Sequence, residues 1–310
     1  MRAATKIADI LPPTPLLPLH VGKNVIWCKA ENLQPIGAFK IRGGWHRLTD
    51  LDDEQRRKGV IAFSSGNHAQ GVAWAARKLG IAATIIMPQD APMAKLRATS
   101  QMGADIITYD RMTGQREILA AELAEETGGI VVPSFDDPWI IEGQGSCGAE
   151  IRTQMIAQAG GVPDQIIACC GGGGLASGSA LANPEADIVI AEPEGWDDMC
   201  QSLEAGHIVP IGANPPATSC DALQTMRVSQ KTFDILHKRG ATGVAVSEED
   251  IGNAMRMAFE HLHLVLEPGG AVALAALLSG KVQLGKRTAI TLSGGNVDPD
   301  LFARMTSLSK

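Results

Sequence analysis

Short aliphatic and β-branched runs alternate along this chain with longer segments whose apolar positions recur every three or four residues. "VIAFSS" (60–65) has the strand pattern. "NHAQGVAWAARKLG" (67–80) follows and sets Val72, Ala75, Ala76 and Leu79 at i, i+3, i+4 and i+7, one apolar face of a helix. The alternation continues with the strand "ATIIMP" (83–88), a helix over "MAKLRATSQMG" (93–103) and the strand "ADIITYD" (104–110). A helix over "GQREILAAELAEETG" (114–128) and the strand "GIVVPS" (129–134) complete this half. Later, "QIIACC" (165–170), "DIVIAE" (187–192) and "TAITLS" (288–293) read as strands. "SEEDIGNAMRMAFEHLHL" (247–264) reads as a helix with Ser247 as N-cap and Asp250 at the capping-box position. Repeated strand–helix–strand units predict an α/β fold with parallel sheets flanked by helices. "GHIVPIGANPPATSC" (206–220) is the longest irregular stretch and reads as a surface loop.

Composition narrows the picture. The 310 residues, 45% apolar and 20% charged, suit one sizeable globular domain or two intimate ones. A net charge of −7 argues against nucleic acid as a partner and gives no reason to expect a membrane surface. Prolines interrupt the N-terminal "MRAATKIADILPPTPLLPLH", and no other stretch reaches the length of a membrane span, so the expected location is cytoplasmic. The six cysteines, Cys28, Cys147, Cys169, Cys170, Cys200 and Cys220, have no CxxC or metal spacing and are expected as reduced, mostly buried thiols.

Candidate chemistry begins at "ENLQPIGAFKIRGG" (31–44), where Lys40 stands between Phe39 and Ile41. Apolar surroundings favour the neutral amine, the form a nucleophilic or basic lysine needs. "CCGGGGLASG" (169–178) follows a strand and precedes a helix; consecutive glycine N–H groups and a helix N-terminus suit a phosphate, the plain alternative being a flexible turn. "SSGNHAQG" (64–71) suits a carboxylate or is simply a helix cap. "LSGGN" (292–296) offers the Ser293 hydroxyl to a ring nitrogen or phosphate, or is a turn. "AEPEGWDDM" (191–199) gathers acids that suit Mg²⁺ or Ca²⁺, or form a solvated acidic turn. The loops all end strands, the side on which parallel α/β sheets bind ligands.

In this order "ENLQPIGAFKIRGG", "SSGNHAQGVAWAARKLG", "GQG" (143–145), "GGGGL", "EPEGWDD", "LEPGGAVALAA" and "LSGGNVD" resemble the fold-type II pyridoxal-phosphate enzymes, from Thr14 to Asp298. The branch they resemble holds the threonine/serine dehydratases and serine racemase. The resemblance implies a two-domain, tryptophan synthase β-like architecture. Residues 1–52 and 138–310 would form a large cofactor-binding domain and 53–137 a small inserted one, with a homodimer as the assembly. It implies that Lys40 forms the Schiff base, Phe39 packs on the ring and Asn67 meets its 3-hydroxyl oxygen. Gly171, Gly172, Gly173, Gly174 and Leu175 would wrap the phosphate, Ser293 would meet the ring nitrogen, and Glu267 would lie near the ring. Ser64, Ser65, Gly66, Asn67 and His68 would take the substrate carboxylate. In metal-bearing members a divalent cation, Mg²⁺ or else Ca²⁺ or Mn²⁺, sits on residues matching Glu192, the Trp196 carbonyl and Asp198.

The implied activity is β-elimination of water from L-threonine or L-serine, a small hydroxyamino acid, giving a 2-oxo acid and ammonia. The rivals are serine racemase, in which the position of Ser65 serves as second-face acid/base, and threo-3-hydroxyaspartate dehydratase, which an extra basic residue in the pocket would discriminate. A β-replacement synthase fits the lysine and asparagine loops less well. A non-catalytic binding protein would tolerate loss of Lys40. Two departures stand out: Ala38 where the family usually has serine, and Ala222 in place of a glycine in "TSCDALQ" (218–224). The chain stops at Lys310, so feedback through a C-terminal regulatory domain is not expected.

Overall fold

The computed structural model describes residues 2–64, 66–89, 91, 93–110 and 115–307. Helix α1 (Arg2–Ala8) precedes an antiparallel pair, β1 (Leu16–Val21) and β2 (Asn24–Ala30), and α2 (Lys40–Thr49) follows. Then come α3 (Asp53–Lys58), β3 (Val60–Phe63), α4 (Asn67–Leu79), β4 (Ala83–Pro88) and α5 (Met93–Gln101). They are followed by β5 (Asp105–Tyr109), α6 (Arg116–Thr127) and β6 (Ile130–Val131). After α7 (Pro138–Ala159) the chain runs through β7 (Gln165–Cys169), α8 (Gly174–Ala182), β8 (Asp187–Pro193) and α9 (Asp198–Ala205). It ends with α10 (Gln230–Lys238), β9 (Thr242–Val246), α11 (Glu248–Met257), α12 (Pro268–Leu278), β10 (Thr288–Leu292) and α13 (Pro299–Thr306). No helix among the described residues is long and apolar enough to cross a membrane.

These strands form two sheets, one of six in the order β1-β2-β10-β7-β8-β9 and one of four in the order β5-β4-β3-β6. Every pairing except β1/β2 is parallel, as the alternating pattern predicts. The antiparallel edge pair lies outside that pattern because two residues, Gly22 at φ +60 among them, close the hairpin without a helical crossover. The 22-residue α7 is also unmarked by periodicity. Its three glycines, Gly143, Gly145 and Gly148, disguise a helix that Asp137 caps through the Ile140 N–H at 3.0 Å and that Pro138 opens. The helix expected over 247–264 has its Ser247/Asp250 capping box, but regular α-helix stops at Met257. A π-turn over Ala258–Leu262 takes over and closes at His263 in the left-handed region.

Strand β10, last in sequence, is inserted between β2 and β7, with Leu292 paired to Ala30 and Ile290 to Ile167. That insertion brings the carboxyl ends of β2, β10 and β7, and so the loops before Lys40, after Leu292 and after Cys169, side by side. Both β7 and β10 are buried along their full length, which explains their unbroken apolar character.

Glycine contacts set the helix positions. A Cβ on Gly71 of α4 would lie 2.8 Å from the Lys40 carbonyl, and one on Gly44 of α2 would lie 2.8 Å from the Gly71 carbonyl. The two backbones therefore meet with no side chain between them, and Lys40 is held against the helix that begins at Asn67. Beneath this crossing Trp45 and Trp74 pack edge to face at 5.8 Å.

Behind α2 lies a buried ion network. Arg42 grips Glu31 with two bonds of 2.7 Å and reaches Glu150 at 2.6 Å. Lys29 bonds Glu150 at 2.6 Å and the Thr14 carbonyl at 2.7 Å. Lys29, Glu31 and Arg42 have no solvent exposure. Burial pushes the Glu31 carboxyl up, but the adjacent Arg42 guanidinium outweighs it and holds the pKa at about 2.

Candidate active site

A cavity of about 1020 Å³ opens where the strand ends converge. Lys40, the first residue of α2, lines it and donates to the Ser134 carbonyl at 2.8 Å, with Nζ 5.1 Å from the Phe39 ring centre. Loss of hydration pulls its pKa from 10.5 down to about 8, against a smaller opposing effect of Cys169. The lysine is thus held desolvated by a neutral carbonyl, with no carboxylate among the described residues bonded to it.

The glycine loop forms another wall. Gly173 has φ +86 and caps α8, and a side chain on Gly172 would overlap the Phe135 ring. The opening N–H groups of α8 have no intrahelical acceptor, and Gly171, Gly172, Gly173, Gly174 and Leu175 all line the cavity. Backbone donors at a helix start, with no room for side chains, fit a phosphate group.

Ser293 follows β10. Its carbonyl accepts from the Phe39 N–H at 3.1 Å, and its hydroxyl accepts from the Cys169 thiol at 3.0 Å. Burial pushes the Cys169 thiol up to about 11, so it remains a donor. Asn67 donates to Glu267 at 2.5 Å and accepts from Asn296 at 2.7 Å, tying α4 to the loop after β10. These groups ring the cavity in an arrangement that suits a flat heteroaromatic with polar substituents.

Ser64, Gly66 and His68 lie on the same cavity, and the Ser64 hydroxyl accepts from the Gly66 N–H at 3.2 Å. Ser65 lies outside the described residues. The His68 ring bonds the Val132 carbonyl at 2.8 Å, and desolvation with the nearby Lys40 lowers its pKa to about 3. It is a neutral imidazole, so a carboxylate here would rely on the N–H groups at the start of α4.

At the acidic turn the two carboxylates part ways. Glu192, at the end of β8, accepts from the Cys200 N–H at 2.8 Å and the Met199 N–H at 3.4 Å, capping α9. Asp198 is 1% exposed, and neither of its oxygens has a hydrogen-bond partner of good geometry, the nearby Val228 N–H offsetting only part of the cost of burial. Burial raises both carboxyls, Asp198 to about 7. Among the described residues no three His, Cys, Asp or Glu side chains gather as a metal site. Two acids and a main-chain carbonyl remain, with the orphaned Asp198 oxygens lacking a positive partner.

Ser134, Phe135, Cys169, Thr225, Arg116 and Arg227 also line the cavity, and sequence reasoning missed them. Cys169 ends β7 at the head of the glycine motif, and the others sit on loops or a helix start with no motif of their own. The wall also includes Asp221, Ala222 and Leu223, so the departure at Ala222 falls beside the site.

The family described as pyridoxal-phosphate dependent enzyme matches residues 7–294. The chain is similar to an L-threo-3-hydroxyaspartate ammonia-lyase from Pseudomonas sp, 41% identical over 90% of this chain and 87% of that one. It is similar to the serine racemase of Schizosaccharomyces pombe, 40% identical over 91% of this chain and 87% of that one. Among solved structures it matches the T.th. threonine deaminase at TM-score 0.87 and 39% identity, over 96% of this chain and 97% of that one. A desolvated lysine, a glycine-rich loop at a helix start and a serine at a strand end thus meet in one cavity of a chain that belongs to the pyridoxal-phosphate dependent enzymes.

Proposed function

We propose that the protein is a hydroxyamino-acid ammonia-lyase, removing water from a β-hydroxy-α-amino acid and releasing a 2-oxo acid and ammonia. The observation that carries this reading is Lys40, desolvated with its pKa drawn down to about 8, in the same cavity as a glycine loop whose helix-start N–H groups suit an anion. Gly171–Leu175 would hold the cofactor phosphate, Phe39 the ring face, and Asn67 and Ser293 its polar edge, with Glu267 alongside. When bound, pyridoxal phosphate supplies a conjugated system that takes up negative charge from Cα.

The chain's own groups do the rest. N–H groups at the start of α4, with Ser64, Ser65 and Gly66, bind the α-carboxylate. Lys40, as the neutral amine, takes the Cα proton. Ser293 presents a hydroxyl rather than a carboxylate and does not hold a proton on the ring nitrogen, which favours prompt loss of the β-hydroxyl. The Cα–H and Cβ–OH bonds break, water leaves, and a later hydrolysis releases ammonia.

L-threonine and L-serine are the first substrates of this reading. Serine inversion and 3-hydroxyaspartate dehydration are supported by the activities named for the relatives. Timed 2-oxo acid release from L-threonine, L-serine, D-serine and threo-3-hydroxyaspartate by the cofactor-loaded protein tests it. Release from at least one L-substrate is expected; serine inversion without 2-oxo acid would remove the lyase reading.

A divalent cation, Mg²⁺ first, belongs to the proposal at Glu192, Asp198 and the Trp196 carbonyl, supported by the unpartnered Asp198 oxygens. Mg²⁺ is expected to raise the melting temperature of EDTA-treated protein, and Asp198→Asn to abolish that rise. An equal rise in the variant refutes the site.

Residues 1–52 with 138–310, and residues 53–137, are proposed as two lobes, a division supported by the four-stranded sheet lying wholly within 53–137. Crystals with and without a bound amino acid are expected to differ in the angle between them, and identical angles would exclude closure.

A further inference from the structure

We propose that Arg116 and Arg227 together hold a second carboxylate on the substrate, making the preferred substrate a dicarboxylic β-hydroxy-α-amino acid such as 3-hydroxyaspartate; this rests on the ammonia-lyase reading of the Lys40 cavity. Three cationic side chains line the described cavity: Lys40, Arg116 and Arg227. Lys40 is committed to the amine chemistry. The α-carboxylate is met by N–H groups at the start of α4 and needs no cation. Two guanidinium groups are left that the methyl of threonine or the hydroxymethyl of serine would not use.

Both line the same cavity. Arg116 opens α6, between β5 and β6 of the four-stranded sheet along the chain, while Arg227 lies in the loop before α10, on the stretch that joins β8 and β9 of the six-stranded one. The Arg116 guanidinium stands 5.7 Å from the ring centre of Phe63, whose chain runs directly into Ser64. Its ion partner among the described residues is the neighbouring Glu117, at 2.9 Å, and with side chains 39% and 59% exposed that pair is weak and exchangeable. Arg227 makes no hydrogen bond or ion pair among the described residues.

The acids on the same wall have partners, Glu117 in Arg116 itself. Asp136 pairs with Lys231 at 2.9 Å and Glu267 takes the Asn67 amide. Asp221 also has an interaction partner. Apart from Lys40, Arg227 is therefore the cation on the described wall that no carboxylate pairs with. A carboxylate on Cβ, reached from both sides, would meet two planar forks made for it, and would draw the two walls together.

The test is steady-state 2-oxo acid release by the holoenzyme from L-threo-3-hydroxyaspartate and from L-serine, for wild type, Arg227→Ala, Arg227→Lys and Arg116→Ala. Wild type is expected to prefer the dicarboxylic substrate in kcat/KM. Arg227→Ala should reduce the ratio of the two kcat/KM values about 30-fold, chiefly through KM, as loss of a charge-assisted bond implies. Arg227→Lys should restore part of it, and Arg116→Ala should act in the same direction. A ratio unchanged in both alanine variants, or a wild-type preference for serine, overturns the assignment. A second readout does not depend on turnover: succinate should protect the wild-type protein against thermal unfolding more than propionate does, and Arg227→Ala should erase the difference. If no substrate turns over but succinate still discriminates, the lyase reading fails and the arginine site stands; if succinate and propionate act alike, the arginine site fails.

Discussion

Lys40→Ala is expected to lower 2-oxo acid release by about 10²- to 10⁴-fold, the scale of removing a positioned general base. The variant should still take up pyridoxal phosphate through the glycine loop, with a visible spectrum unlike that of wild type. A variant retaining more than a tenth of the activity would put the reacting amine elsewhere. The same lysine leaves a mark on the protein without cofactor. Its folded pKa of about 8 lies below its ordinary value of 10.5, so the folded chain binds fewer protons than the unfolded chain between them. Stability from this group therefore rises with pH through that window. Lys40→Met removes the desolvated ammonium, so the cofactor-free variant should melt higher than wild type near neutral pH, the gap closing as the wild-type lysine deprotonates. A gap independent of pH would place the proton elsewhere.

Arg42→Met is expected to destabilise the protein by about 3–5 kcal/mol, because Glu31 would remain buried without the guanidinium that grips it. Adding Glu31→Gln should recover part of the loss, since the two residues share one network. A thermal or urea series over the two single variants and the double variant measures the coupling, and strict additivity would contradict it. The pH dependence has a defined sign. With Glu31 held at about 2, below its ordinary 4.5, its contribution is complete above that ordinary value and is lost as pH falls toward 2. Arg42 lies two residues past Lys40 on α2, so loosening this network also loosens the amine. Weaker cofactor uptake should accompany the lower stability.

Much of the architecture is legible without coordinates. Helix α4 follows from Val72, Ala75, Ala76 and Leu79, and the start of α11 from Ser247 and Asp250. The glycine loop stands out because four consecutive glycines between a strand and a helix have few other uses. Helix α7 is hidden because its glycines serve close packing, and a single sequence does not distinguish a packing glycine from a turn glycine.

The site divides along the same line. Lys40, Gly171–Gly174 and Ser293 are visible as residue types in suitable local settings. Arg116, Arg227 and Ser134 are not, because no motif loop lies beside them in the sequence, and Cys169, though it opens the glycine motif, is marked only as a strand end. Strand–helix alternation, caps and motif loops can be read from residue order alone, since helix and strand periods are set by neighbours along the chain. Residue order does not say that β10 enters between β2 and β7, so that the loops around Lys40, Cys169 and Ser293 share one cavity; long-range packing settles that. Packing also selects which polar groups lose their water there: burial draws the Lys40 pKa down, and the same exclusion of water leaves the Asp198 oxygens without partners. Desolvation depends on everything packed around a group, and that surrounding comes from chain segments more than a hundred residues apart.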